Sequence, residues 1–137
     1  MKFKNKKGFT LIELVAVMSI IAILLLMATP RVLGNTGKAN EAKIVTDVGI
    51  IESAARIYNS ENYSYPIGIP VDVQMLKTYA DEGKVVTVNG KISYSEITDM
   101  DINEVDMDLI KNYVRVYPEG YFYIGESGII YYSMEKI

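Results

Sequence analysis

Lys6-Lys7-Gly8-Phe9-Thr10-Leu11-Ile12-Glu13-Leu14, with the apolar run that continues to Thr29, decides how this chain is organised. From Phe9 to Thr29 there are 21 residues, and Glu13 is the lone charge among them. At about 1.5 Å of rise per residue such a run makes roughly 30 Å of helix, the thickness of a bilayer core. Lys2, Lys4, Lys6 and Lys7 precede it, and Arg31 is the one basic residue close behind it. The positive-inside rule therefore leaves residues 1–8 in the cytoplasm and sends the remainder outward, a single pass with the C-terminus outside. A carboxylate near the start of such a helix costs about 2.5 to 3.5 kcal/mol to insert, so Glu13 needs a partner.

Two simpler readings compete. A secretory signal has an apolar region of about 7 to 15 residues and a small-x-small cleavage site. This run is longer, holds an acid and ends Leu26-Met27-Ala28-Thr29-Pro30, without such a site. A plain signal anchor needs only apolar length, and gives no reason to keep Glu13.

The stretch Lys6 to Leu14 resembles the processing and methylation site of type IV prepilins and pseudopilins, a K-G-F-T-L-I-E signature. The resemblance is strong over residues 1 to about 35 and architectural beyond. It implies that a membrane prepilin peptidase cuts between Gly8 and Phe9 and methylates the new N-terminal amine of Phe9. It also implies an inner-membrane platform and an assembly ATPase as partners, together with other pilins. Removing the lysine-rich leader would expose an ammonium at Phe9, four residues before Glu13. In a filament of staggered parallel helices, Glu13 of one subunit could meet the Phe9 ammonium of its neighbour. Two unit charges about 4 Å apart attract by roughly 4 kcal/mol at an effective dielectric near 20, before desolvation is counted. Phe9, Glu13 and Pro30 are thus the expected assembly residues.

Composition bounds what the rest can do. The chain of 137 residues fits one domain, with 14 basic and 17 acidic side chains. Taking away the leader's four lysines leaves 10 basic against 17 acidic, a formal charge of −7 before the termini. So acidic a surface disfavours direct binding of nucleic acid, whose affinity rests on cationic contacts. There is no cysteine, histidine or tryptophan. Disulfides and thiol or imidazole catalysis are excluded, and no Ser or Thr nucleophile is visibly activated. The chain does not read as an enzyme.

Past the apolar run, Pro30, Gly34 and Gly37 interrupt helix propensity, and a kink or melted stretch is expected there, or else a boundary between two helices. Helix resumes by about Ala39, with Ile44, Val48, Ile51, Ala55 and Tyr58 in a stripe that Ile50, Ala54 and Ile57 widen. Glu52 to Arg56 makes a favourable i, i+4 pair. Asn59 to Pro66 ends the helix. A second helix is expected at Asp72 to Glu82, capped by Asp72 and stopped by Gly83. Val85 to Val88 and Lys91 to Tyr94 predict a hairpin whose Asn89-Gly90 suits a type I′ turn. A third helical piece is expected over Glu104 to Val114. Tyr121 to Ile124 and Ile129 to Tyr132 predict a second hairpin.

Two biases remain. Glu96, Asp99, Asp101, Glu104, Asp106 and Asp108 crowd carboxylates into 13 residues, and oxygen-rich loops suit calcium. The sixth and twelfth positions from Asp99 are Glu104 and Ile110, which rules out an EF-hand. Major pseudopilins of type II secretion carry a calcium site near the C-terminal end, but its ligands do not align residue by residue with this chain. Asp99, Asp101 and Asp106 are calcium candidates on the acidic run alone, set against a solvated acidic face or helix start; no other metal or cofactor is expected. Tyr113, Tyr117, Tyr121, Tyr123, Tyr131 and Tyr132 read either as sheet packing or as an interface.

The expected architecture is α+β: a leader (1–8), a transmembrane and polymerisation helix (9–29), a kink and amphipathic helix (30–59), and a globular head (60–137). The amphipathic half should pack on a small antiparallel sheet, as the pilin resemblance implies. The leading functional expectation is a type IV pilus subunit, a surface filament that would bring cell adhesion and twitching motility. The alternative is a pseudopilin of a type II secretion or competence DNA-uptake system. A monomeric membrane-anchored binding module is the third.

Overall fold

The computed structural model describes residues 8–137, without the side chains of residues 28–36. The lysines of the leader and the side chain of Pro30 lie outside the described residues. Helix α1 (Leu11–Asn62) runs through Pro30, Gly34 and Gly37 as one helical assignment of 52 residues. Its apolar run is described with side chains only to Met27, and among the described residues no helix is long and apolar enough to cross a membrane. The chain divides within α1 into two compact units, the second being Asn40–Ile137.

In that second unit the chain continues as β1 (Ile67–Pro70), α2 (Val73–Asp81), β2 (Val85–Thr87) and β3 (Gly90–Lys91), then a 3₁₀ turn at Tyr94–Glu96. β4 (Ile102–Val105), α3 (Met107–Ile110), β5 (Tyr121–Gly125) and β6 (Ile130–Ser133) complete it. The six strands form one sheet in the order β1-β4-β5-β6-β2-β3, every pair antiparallel. This is the expected α+β, pilin-like arrangement of a long helix on an antiparallel sheet.

Side chains alternate across a strand, so β2, β4, β5 and β6 each supply two cores. Phe122 and Ile124 of β5, with Ile130 and Tyr132 of β6, pack against Val48, Ile51, Ala54 and Ala55 of α1. Tyr123 and Tyr131 are cross-strand partners, and both join Leu76 and Ala80 of α2 in the other core. The sheet therefore lies between two helices. The buried stripe on α1 is narrower than expected: Ile50 and Ile57 remain 42% and 46% exposed. The flat sheet covers only one side of the cylinder, and the alanines let the backbone come close.

α2 begins and ends as expected. Asp72 accepts hydrogen bonds from the backbone of Gln74 and Met75, at 2.9 and 3.4 Å, and Gly83 follows at φ +71. The first hairpin differs. Val88 and Asn89 form its turn with negative φ, and the left-handed residue is Gly90 at φ +107. This corrects the type I′ expectation, because a glycine after the turn relieves the twist as a bulge does. The expected strand Lys91 to Tyr94 shrinks to Gly90–Lys91, since Ser93 and Glu96 draw the chain into the 3₁₀ turn. Glu96 accepts from the Ser93 amide and hydroxyl at 2.7 and 2.8 Å.

The expected helix at Glu104 to Val114 is also corrected. Ile102–Val105 is strand β4, and only Met107–Ile110 is helical, opened by Asp106 accepting from the Asp108 amide at 3.0 Å. β1, between Pro66 and Pro70, was not expected at all.

Candidate functional site: the N-terminal segment

Thr10 and Glu13 set the geometry where α1 begins. Thr10 caps the helix: its hydroxyl accepts from the Glu13 amide at 3.3 Å, and Glu13 Oε2 accepts from the Thr10 amide at 2.8 Å. This reciprocal pair is a capping box, satisfying two amides that a helix start leaves without partners. Glu13 thus has a structural role in the single chain, one that the sequence reading missed. The signal was present, because threonine three residues before glutamate, ahead of an apolar run, is the pattern of such a box.

Gly8 lies just before. A β-carbon placed there meets nothing within 4 Å. Among the described residues nothing therefore calls for glycine at position 8. Phe9 is 88% exposed, and every large apolar residue from Leu11 to Met27 is 49 to 81% exposed. Ser19 donates its hydroxyl to the Val15 carbonyl at 2.8 Å, which satisfies it within the helix and suits apolar surroundings. Among the described residues this stretch exposes its large apolar side chains and holds little polarity to satisfy.

The acidic segment behaves otherwise. Among the described residues no group of three or more carboxylates is arranged to hold a metal ion. Asp99 is buried and accepts from the Ser127 amide at 3.1 Å, the Ser127 hydroxyl at 2.9 Å and the Tyr131 hydroxyl at 2.7 Å. Gly125 is required beside it, since a β-carbon there would lie 1.9 Å from the Asp99 carboxylate. Asp106 caps α3, Glu104 pairs with Lys136 at 3.3 Å, and Asp101 stays exposed. Calcium takes six to eight oxygens, without protons directed at it. Asp99, Asp101 and Asp106 do not fit that ion, because the buried one already has a proton donor on each side. Ser127 left no trace in the sequence, standing 28 positions from Asp99. Burial, and then the Asp99 hydrogen bond, push the Tyr131 hydroxyl well above the usual tyrosine range.

The tyrosines divide. Tyr123, Tyr131 and Tyr132 are buried in the two cores, whereas Tyr117 and Tyr121 are exposed. Tyr113, half-buried, donates to the Glu61 carboxylate. That hydrogen bond raises the Tyr113 hydroxyl above its ordinary range.

Comparison with known proteins points to the N-terminal segment. Residues 3–29 match the prokaryotic N-terminal methylation motif. The chain is 38% identical over 66 residues to type II secretion system core protein G of Klebsiella michiganensis, a match covering 48% of this chain and 46% of that one. To the protein of the same name from Vibrio cholerae it is 40% identical over 65 residues, 47% and 44% of the two chains. To that of Escherichia coli it is 38% identical over 62 residues, 45% and 43%. The matches thus span less than half the length of these relatives. No solved structure matches. The relatives favour the secretion alternative over the surface pilus, and they lend no support to adhesion or twitching motility. The chain therefore carries the prokaryotic N-terminal methylation motif and, behind it, the pilin-like arrangement of a long helix with an antiparallel sheet packed on it.

Proposed function

We propose that this chain is a structural subunit, not an enzyme, of a type II secretion pseudopilus or a related DNA-uptake filament. In this reading it is made with a cytoplasmic leader, cut between Gly8 and Phe9, and methylated at the Phe9 amine. It is held in the inner membrane by residues 9–29 with its head outside, then polymerised through that helix with other pilins, by the platform and its ATPase. The observation that carries the reading is Gly8. It sits within a matched methylation motif, yet a β-carbon there would meet nothing among the described residues. A requirement for glycine at that position would come from another molecule, as a peptidase would impose.

Glu13 supports the assembly step. Its carboxylate lies one turn from Phe9, and removing it should help insertion, because a charge leaves the apolar segment. Glu13→Val is expected to accumulate in the membrane and to assemble poorly alone, since the neighbour's ammonium would lose its counter-charge. Intact mass of the membrane-extracted parent should show loss of residues 1–8 and gain of one methyl group. A mature chain beginning elsewhere, or normal filament yield from Glu13→Val as sole subunit, would contradict the reading.

A further inference from the structure

The second unit carries two exposed features of opposite charge that nothing within it satisfies. One is a groove of about 440 Å³ at the β1 edge, lined by Tyr65, Ile67, Val71 and Met100, with Asp101 and Glu126 beside them. Met100 is 81% exposed. Among the described residues neither Asp101 nor Glu126 has an ion-pair partner. The other is the loop after α3, where Lys111 and Arg115 are exposed and likewise without an ion pair among the described residues. Next to Arg115 stand Val116, 78% exposed, and Tyr117, 50% exposed.

We propose that the Arg115-Val116 loop of one copy docks in the Met100 groove of a second copy. Val116 would fill the apolar floor, and the Arg115 guanidinium would meet Asp101 and Glu126. Arginine suits this place because its planar fork matches carboxylates and its charge is weakly hydrated. The groove does not suit an added β-strand: Pro66 and Pro70 bracket β1 and offer no amide. Two different surfaces of one chain are engaged, so the contact is heterologous, and in the filament reading it runs on from copy to copy instead of closing into a ring. The inference rests on the filament reading above, and adds to it a bond between heads.

The chain has no cysteine, so an introduced pair reports cleanly. Met100→Cys with Val116→Cys, in the full-length chain and in cells that assemble it, should give a ladder of covalent multimers on oxidation. Each single variant should give at most dimers. Arg115→Glu should lower ladder yield about tenfold, which corresponds to about 1.4 kcal/mol, and adding Asp101→Lys with Glu126→Lys should restore it. The double variant Asp101→Cys with Arg115→Cys repeats the test should the first pair disturb folding, which circular dichroism of the extracted chain reveals. If a cysteine pair placed in α1 gives multimers and neither head pair does, this contact is overturned and the subunit reading stands. Head pairs joined only to some other protein overturn the second-copy occupant. An uncut leader, with no multimers through α1 or the heads, overturns the subunit reading and this contact with it.

Discussion

The two units of this chain spend their apolar residues in opposite ways. From Leu11 to Met27 every large apolar side chain is at least 49% exposed, while in the second unit Val48, Ile51, Leu76, Ile124 and Ile130 are completely buried. Hydrophobic burial drives both, but the second unit consumes its own surface and the first leaves its surface for something else. A fold that closes on itself carries a segment that cannot. The comparison predicts that the units separate. A chain starting at Asn40 should be soluble and cooperatively folded, whereas the full chain should need detergent. Aggregation of the fragment, or a detergent-free soluble full chain, would break the distinction.

Ile51→Asp should have the next largest effect. It puts an unpaired charge between α1 and the sheet, at a cost of about 4 kcal/mol or more, enough to unfold a head of this size. The same change at Ile20, exposed in the first unit, should leave thermal unfolding of the head unaltered. Equal responses at the two sites would show that both segments share one core.

Asp99→Ala should cost about 2 to 4 kcal/mol, because Ser127 and Tyr131 lose a charged acceptor and Tyr131 keeps a buried hydroxyl without one. Chelator should leave the melting temperature unchanged. A rise in melting temperature with added calcium would instead reveal a bound ion.

Tyr131→Phe should be milder, about 1 to 2 kcal/mol at neutral pH, with a distinctive pH dependence. Burial and the Asp99 bond raise its hydroxyl, and burial raises Tyr123 and Tyr132. The folded state keeps these protons where the unfolded chain gives them up, near pH 10. Their contribution is therefore whole below about pH 10 and falls as pH rises, by up to about 1.4 kcal/mol per pH unit for each tyrosine. Denaturation at pH 9 to 11.5 should show a shallower decline in the phenylalanine variant. An unchanged slope would mean that Tyr131 does not hold its proton.

The smallest effect belongs to Arg56→Ala. The Glu52 to Arg56 pair is formed at 2.8 Å, but the arginine side chain is 65% exposed, and such pairs contribute about 0.5 kcal/mol or less.

Where one face of an element met one partner, the sequence was readable. Asp72 and Gly83 bracket α2 by short-range chemistry, and Tyr121 to Tyr132 alternates as a sheet with two cores requires. What escaped depended on distant residues. The acidic run hid β4, because Glu104 and Asn103 look like solvated helix until β5 is known to lie beside them. β1 hid between prolines, which an edge strand tolerates and a central one does not. The Asp99 site needed Ser127 from the turn between β5 and β6 and Tyr131 from β6, which no spacing rule connects to it. At the N-terminus the motif was legible from Gly8 to Glu13, but its second meaning was not. Glu13 read as a charge seeking a partner in another subunit, when its own Thr10 amide was already in reach.

That capping box changes the thermodynamic character of the proposed assembly. A carboxylate already accepting from Thr10 does not arrive at a neighbour's ammonium with an empty shell. The other carboxylate oxygen stays open to that ammonium, so in the proposed assembly the Glu13 contact adds to the burial of the apolar helix and does not replace it. A subunit leaving the filament has, equally, a satisfied resting geometry to return to. In the proposed filament the Glu13 contact would then fix the register between neighbours, while the apolar surface supplies the driving force.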